Sequence, residues 1–424
     1  MRTFSHKVLD YRLLSHAKTI TLCVTTIAAI FFIFSADCVV SKFYLQSSAI
    51  EIDEVSDVLQ IHSTEKTIKS TVFGLPFRST QGENKEVLSA NQNSLIPPFN
   101  VSEEERIEWF RKKIPEFEIF KSNNLSKKFH SRIQTFFDDK CEVQFFMTWI
   151  SPAESFGRRD FSAMESLFKV HPHGCLVILS GALDSKRGYR MLKPLVDRGF
   201  KVTAVAPDLA SLVKNTPAES WFNEMKSGNK DPGEIPLAQN LSNLIRLAAL
   251  FKYGGIYLDT DFIVLKSFTG LRNSIGAQSI DVASKNWTRL NNAVMVFDSN
   301  HPLLFKFIQE FAATFDGNKW GHNGPYLVSR VVERVAGRPG YNFTVLPPIA
   351  FYPVDWNRIG GFFKKPENQA DSRWVKAKLL QLSGETYGVH LWNKQSSRIR
   401  IEGGSVMAEL ISDHCVICTN ICNS

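Results

Sequence analysis

The chain has 424 residues, 44% hydrophobic and 22% charged, which is ordinary globular usage and excludes a wholly disordered, collagenous or multi-pass membrane protein. At about 150 residues per domain, the length allows two to three domains or one large α/β domain with extensions. Lys and Arg number 50 against 42 Asp and Glu, a net charge of +8 that is weak over this length. Basic residues stand singly or in pairs such as Lys127-Lys128, so nucleic-acid binding is not expected. Phe is frequent, at 33 residues, which implies large buried surfaces.

Residues 19–36 carry no charge and include Ile27-Ala28-Ala29-Ile30-Phe31-Phe32-Ile33-Phe34. At 1.5 Å per residue a helix there spans about 27 Å, enough to cross a bilayer core. Arg2, Lys7, Arg12 and Lys18 precede it, and Asp37, Glu51, Asp53, Glu54 and Asp57 follow. The positive flank stays in the cytosol, so residues 1–18 are a cytosolic tail, 19–36 a signal-anchor, and the rest is lumenal in a type II single-pass protein. The alternative is a cleaved signal peptide ending near Ser35-Ala36. Both readings send the body into the secretory pathway.

Residues 37–139 read as a stem or neck. Positions 79–100 are polar and end in Pro97-Pro98. Ser102 and Glu105 have capping-box spacing and open a helix through Ile107 and Phe110, either a neck or a plain packing helix. Glycan acceptor triplets begin at Asn100, Asn124, Asn240, Asn286 and Asn342. Asn240 falls inside a predicted packed helix and is expected to be bare. The chain has seven cysteines. Cys415-x2-Cys418-x3-Cys422 beside His414 resembles half a zinc site, but no second ligand cluster is visible. In an oxidising lumen disulfides are the better reading, with pairing open.

From residue 140 onward the pattern alternates. Strands are predicted over 143–150, 175–180 and 201–206, with helices over 161–170 and 186–198. That order implies an α/β fold with a parallel sheet. Ligands of such sheets bind beyond the carboxyl ends of the strands.

Residues 236–268 carry the chemistry. Leu241, Leu244, Ile245 and Ala248 recur at i, i+3, i+4, i+7 and predict the core face of a helix. Gln239, Ser242, Asn243 and Arg246 share another face. Gly254-Gly255 ends the helix, because glycine tolerates the left-handed region. Ile256-Tyr257-Leu258 then starts a strand that delivers Asp259-Thr260-Asp261. Strand alternation points both carboxylates the same way. Their mutual repulsion is cancelled by a hard divalent cation such as Mn²⁺ or Mg²⁺, which can bridge to a diphosphate. Haloacid-dehalogenase-type phosphatases also carry D-x-D after an apolar strand. They usually carry it in the first strand, with a later acidic pair that is absent here, so that reading ranks well below.

Gly254-Gly255-Ile256-Tyr257-Leu258-Asp259-Thr260-Asp261 resembles the D-x-D block of the glycosyltransferase family 32 sugar transferases. The closer likeness is to the plant α-1,4-glycosyltransferase group, related to lactosylceramide 4-α-galactosyltransferase. Further matching blocks are Asn291-Asn292-Ala293, Trp320-Gly321-His322-Asn323-Gly324-Pro325 and His390-Leu391-Trp392-Asn393-Lys394. The resemblance implies a GT-A fold over 140–424, a UDP-sugar donor, a Mn²⁺-type cation and retention of anomeric configuration. It implies a Golgi enzyme transferring a hexose, galactose-like or N-acetylhexosamine, to a glycan or glycolipid. Carried onto this chain, Asp259 touches donor and cation, Asp261 is the main cation ligand, and Arg246 reaches the diphosphate or sugar. Asn243 stands where the wider family commonly has Asp; it meets a sugar hydroxyl or is a solvated helix-face residue. His390 is a candidate third ligand, and Trp149 a wall of the base pocket. Asn291, Asn292, His322 and Asn323, in loop-like stretches, are candidates for sugar or acceptor hydroxyls. A catalytically silent lumenal sugar-binding or scaffold protein is the alternative. Donor sugar, acceptor, linkage and oligomeric state stay open.

Overall fold

In a computed structural model of the chain, residues 96–138 and 141–418 are described. The proposed tail and anchor, most of the stem, and Cys422 lie outside them. Among the described residues no helix is long and apolar enough to cross a membrane. All described residues fall within one unit, Gly82–Ser424.

Helices α1 (Glu103–Lys113) and α2 (Phe129–Phe137) come first. Ser102 and Glu105 close a reciprocal capping box at the start of α1. The alternating region follows: β1 (Gln144–Thr148), α3 (Arg158–Val170), β2 (Cys175–Leu179), α4 (Lys186–Val196) and β3 (Lys201–Val205). Then α5 (Ala218–Lys226) and the long α6 (Leu237–Tyr253) lead into β4 (Gly255–Leu258). After β5 (Phe262–Val264), β6 (Ser274–Ile280) and β7 (Trp287–Phe297) come α7 (Pro302–Thr314), α8 (Pro325–Val335), β8 (Thr344–Leu346) and β9 (Gly388–His390).

The large sheet has the order β3-β2-β1-β4-β7-β6-β8. β3, β2, β1 and β4 run parallel, while β7 is antiparallel to both β4 and β6. A mixed α/β sheet of this kind is consistent with the GT-A expectation. Its parallel strands are apolar on both faces, as buried parallel strands must be. Phe146, Val177 and Tyr257 face one core with Leu241, Leu244, Ile245 and Ala248 of α6. Their chain neighbours Phe145, Leu176, Ile178, Ile256 and Leu258 face the other, against Met164, Leu167 and Phe168 of α3.

The first two helices, in the stretch read as stem or neck, pack against the body. Phe110, Phe117, Phe120, Phe129, Ile133 and Phe137 belong to the same core as Phe146 and Leu241. Arg106 on α1 grips Asp231 with two hydrogen bonds, of 3.0 and 2.7 Å. The first two helices are therefore part of the body: their phenylalanines have nowhere else to bury.

Among the described residues two disulfides form, Cys141–Cys175 and Cys415–Cys418. The second replaces the half-zinc-site pattern. Its loop is held by the buried Glu165 of α3, whose Oε1 accepts from the backbone N–H groups of Val416, Ile417 and Cys418.

Two features aim the chain at the site. Gly254 and Gly255 have φ of +69° and +102°. A Cβ on Gly254 would lie 2.7 Å from the Ser299 N, and one on Gly255 would lie 2.6 Å from the Gln144 O, so only glycine fits this turn. The small antiparallel pair β5–β9 then sets Phe262 opposite His390.

Candidate active site

A cavity of about 940 Å³ opens beyond the carboxyl ends of β1 and β4. That is the upper end of the roughly 300–1,000 Å³ usual for small-molecule sites. The D-x-D segment forms part of its wall. Asp259 and Asp261 point to one side and Thr260 to the other, where its hydroxyl donates to Asp160 Oδ1 at 3.1 Å.

The β5–β9 pairing brings His390 to the two carboxylates. His390 Nε2 lies 3.2 Å from Asp261 Oδ1 and 3.8 Å from Asp259 Oδ2. One ligand atom from each of the three residues falls within 4.8 Å of the others. Asp261 Oδ2 also accepts the Asn393 N–H at 2.8 Å. Burial alone would lower the His390 pKa, but the Asp261 and Asp259 carboxylates outweigh it and raise it to about 9. Burial would likewise raise Asp261, yet His390 and the Asn393 N–H hold it below the ordinary carboxylate range. Two carboxylates and an imidazole are donors that suit Mn²⁺, so the residues present fit such an ion.

Arg246 comes from the polar face of α6. Its Nη2 lies 3.0 Å from Asp259 Oδ1, its Nη1 donates to Asn292 O, and it stacks over Tyr257 with 4.5 Å from Cζ to ring centroid. The Tyr257 hydroxyl donates to the same Asp259 oxygen at 2.9 Å. Asn243, one turn before, is buried, not a solvated helix-face residue. Its Oδ1 accepts from Asn292 Nδ2 at 2.9 Å, and its Nδ2 donates to Gln239 O. It lines the cavity and ties α6 to β7.

Trp149 follows β1 directly and also lines the cavity. Its ring meets Phe156 edge to face, and its Nε1 donates to Pro152 O. Asn291 and Asn292 line the cavity as well, but they lie within β7 and not in a loop. The sheet claims them because Asp259 N donates to Ala293 O, extending the β4–β7 ladder past the strand end. His322 and Asn323 do not line the cavity. His322 Nε2 contacts Thr314 O, and buried Asn323 donates to Asn240 Oδ1 and Asp316 O. They brace the turn between α7 and α8, whose backbone needs those partners. Asn240 is itself buried in α6.

Asp160 was not singled out from the sequence. It sits in the first turn of α3, lines the cavity, and accepts the Gly157 N–H at 2.9 Å. The only sequence signal was its place three residues after Gly157, at a helix start. Burial pushes its pKa up from 3.8 to about 6. Folding therefore favours the protonated form. The associated stability is complete below the unfolded value near 3.8 and is lost as pH rises through about 6. With chelator present, Asp160→Asn is expected to raise stability at pH 7.5 by about 1–2 kcal/mol, the desolvation relief less one weakened hydrogen bond. That gain should vanish below pH 4. A variant equally stabilised at both pH values in thermal melts would contradict the burial argument.

Comparison with known proteins places this geometry. Residues 157–280 match the glycosyltransferase sugar-binding region containing the DXD motif, and residues 296–422 match the alpha 1,4-glycosyltransferase conserved region. Mouse lactosylceramide 4-alpha-galactosyltransferase is 34% identical over 60% of this chain and 68% of its own length. The chain belongs to the α-1,4-glycosyltransferase family. Human alpha-1,4-N-acetylglucosaminyltransferase is 27% identical over 49% of this chain and 58% of its own. An uncharacterized Arabidopsis thaliana protein is 30% identical over 70% of this chain, which spans 45% of that relative's length. In this α-1,4-glycosyltransferase chain, Arg246, Asp259 and Asp261 fall in the first matched region and His390 in the second. The β5–β9 pair joins the two regions at the cluster.

Proposed function

We propose that the chain is a retaining, cation-dependent hexosyltransferase that forms an α-1,4-type linkage from a UDP-sugar to a glycan or glycolipid hydroxyl. The donor sugar is galactose-like or an N-acetylhexosamine, in keeping with the names of the relatives. Residues 19–36 anchor it in the Golgi membrane as a type II protein, with residues 1–18 cytosolic and the body lumenal.

The observation that carries this reading is the convergence of Asp259, Asp261 and His390 within one 4.8 Å cluster, beside Arg246 and inside the cavity. Asp259, Asp261 and His390 would hold a Mn²⁺ or Mg²⁺ ion. When bound, that ion supplies neutralising charge for a departing diphosphate. Arg246 holds Asp259 in place and adds a fixed positive charge. Trp149 offers a flat wall to the base, and Asn243 and Asn292 present amides to the sugar. The acceptor hydroxyl forms its new bond to the anomeric carbon on the face that the diphosphate leaves. The carbon–oxygen bond to phosphate breaks, and the acceptor proton passes to a diphosphate oxygen. No protein carboxylate need act as nucleophile.

The test offers the full-length chain UDP- and GDP-sugars with a panel of glycan and glycolipid acceptors, and follows nucleotide release and product anomeric configuration. Release from one donor with an α-linked product is expected. An inverted product would overturn the retaining mechanism, and UDP binding without turnover on any acceptor would favour a silent binder.

A further inference from the structure

One helix outside the site turns an apolar stripe to solvent. α9 (Gln369–Glu385) lays Val375, Leu379 and Leu382 on the core that holds Met407 and Ile411. At 100° per residue the opposite face is centred on Ala370, Ala377 and Gly384. Trp374 and Gln381 flank that line on one side, Arg373 and Leu380 on the other. Trp374 is 44% exposed and Leu380 76%. The Trp374 ring meets Phe362 edge to face, with centroids 6.1 Å apart, and is otherwise open. The stripe runs the length of the helix, about 25 Å, so these are not scattered single side chains.

The borders of the stripe are basic. Lys376 stands on the Leu380 side and Lys378 on the Trp374 side, and the exposed Lys364 and Lys365 lie just beyond Phe362 in the chain. Exposed lysines on other helices are paired, as Lys112 is with Glu108 and Lys193 with Asp197. Among the described residues no carboxylate lies within ion-pair distance of the side chains of Lys364, Lys365, Arg373 or Lys376. The Arg373 Nε donates to Gln369 O of its own helix, and Lys378 donates to Gln381. The acids of α9 stand near its ends: Asp371 accepts the Glu367 N–H, and Glu385 is the last residue.

Charge decides what covers this face. A second copy set against it would bring Arg373 and Lys376 of both chains into one interface, and like charges there oppose association. An anionic bilayer surface attracts the same cations. The indole and the leucine then enter the boundary between headgroups and acyl chains, while the long basic side chains reach back to phosphates. The face also lies near the cavity. Trp356 lines the cavity wall, and the chain that joins it to Phe362, under Trp374, spans at most about 22 Å. A body docked through α9 keeps its cavity close to the membrane.

We propose that α9, with Lys364 and Lys365, is a membrane-docking surface that lays Trp374 and Leu380 into the headgroup region of an anionic bilayer. The proposal goes beyond the transferase reading and stands without it, since no donor, cation or acceptor enters it. It is also distinct from an anchor at residues 19–36. An anchor tethers the chain but leaves the body free to turn, whereas α9 fixes which side of the body meets the lipid. A tether raises the effective concentration of the body at the surface, so a modest attraction through α9 is enough.

The experiment incubates the full-length chain with vesicles of phosphatidylcholine, alone or with about one-quarter phosphatidylserine, each doped with a lipid that carries a photoreactive diazirine near its headgroup. Mass spectrometry then locates the cross-linked residues. Wild type is compared with the double variants Trp374→Ala/Leu380→Ala and Arg373→Glu/Lys376→Glu, and a thermal melt of each reports intact folding. In wild type, lipid is expected on residues 369–385 in the anionic vesicles, and about fivefold less in the neutral ones. Each double variant is expected to lose about tenfold of that label. Label on residues 19–36 reports the anchor separately. No label on residues 369–385 in anionic vesicles would overturn the proposal, whatever residues 19–36 show. Unchanged label in the folded charge-reversed variant would overturn it too. Lys376-to-Lys376 links between chains under an amine cross-linker, without lipid label, would assign the face to a second copy instead.

Discussion

Asp261→Asn is expected to lower transfer by about a thousandfold or more while the chain still folds. The substitution preserves shape, and the asparagine oxygen can still accept the Asn393 N–H that now meets Asp261 Oδ2 at 2.8 Å. It removes the negative charge that faces His390 at 3.2 Å. His390 then loses its main support as a cation, so the pair is neutralised together and the fold is spared a buried unpaired charge. A bound divalent ion loses its most buried anionic ligand. Removing one preorganised charge contact at a reacting centre typically costs about 10²–10³ in turnover, and an ion ligand acts on binding as well. Nucleotide release together with a thermal melt is the check. Turnover within tenfold of wild type would remove Asp261 from the machinery.

Arg246→Ala is expected to damage both stability and activity. The guanidinium is buried and satisfies Asp259, Asn292 O and the Ser242 side chain and backbone at once. Truncation strands the Asp259 carboxylate beside an emptied cavity. Breaking a buried pair from one side costs about 3–5 kcal/mol. For a body of this size that corresponds to a fall in Tm of about 4–7 °C. Arg246→Lys should recover part of the stability but little activity, because one ammonium cannot reach all four acceptors in the geometry of a planar fork. An alanine variant melting within 2 °C of wild type would mean that Arg246 is not the keystone of the D-x-D strand.

The helix face and the D-x-D register were legible because both are local. Leu241, Leu244, Ile245 and Ala248 obey the helical period and are fully buried. Alternation over three residues was enough to aim Asp259 and Asp261 together. The union of Asp261 with Asn393 was not legible, since 132 residues separate them and only the short β5–β9 ladder brings them close. His390 was reached through a matched block and not through spacing. His322 and Asn323 stand outside the cavity wall for the opposite reason. Polar residues in a turn look available for ligands, but a turn must first satisfy its own backbone, and these two do that. The packing of the first two helices on the body was not legible, because amphipathic phenylalanines announce burial without naming the partner.

The most direct test of a cation-dependent donor site is calorimetry of UDP binding to the full-length chain, with Mn²⁺ and with chelator, in wild type and Asp261→Asn. UDP is expected to bind wild type tightly only with Mn²⁺, and to lose that cation-dependent affinity in the variant. Equal UDP affinity with chelator and in the variant would contradict a cation held by Asp259, Asp261 and His390.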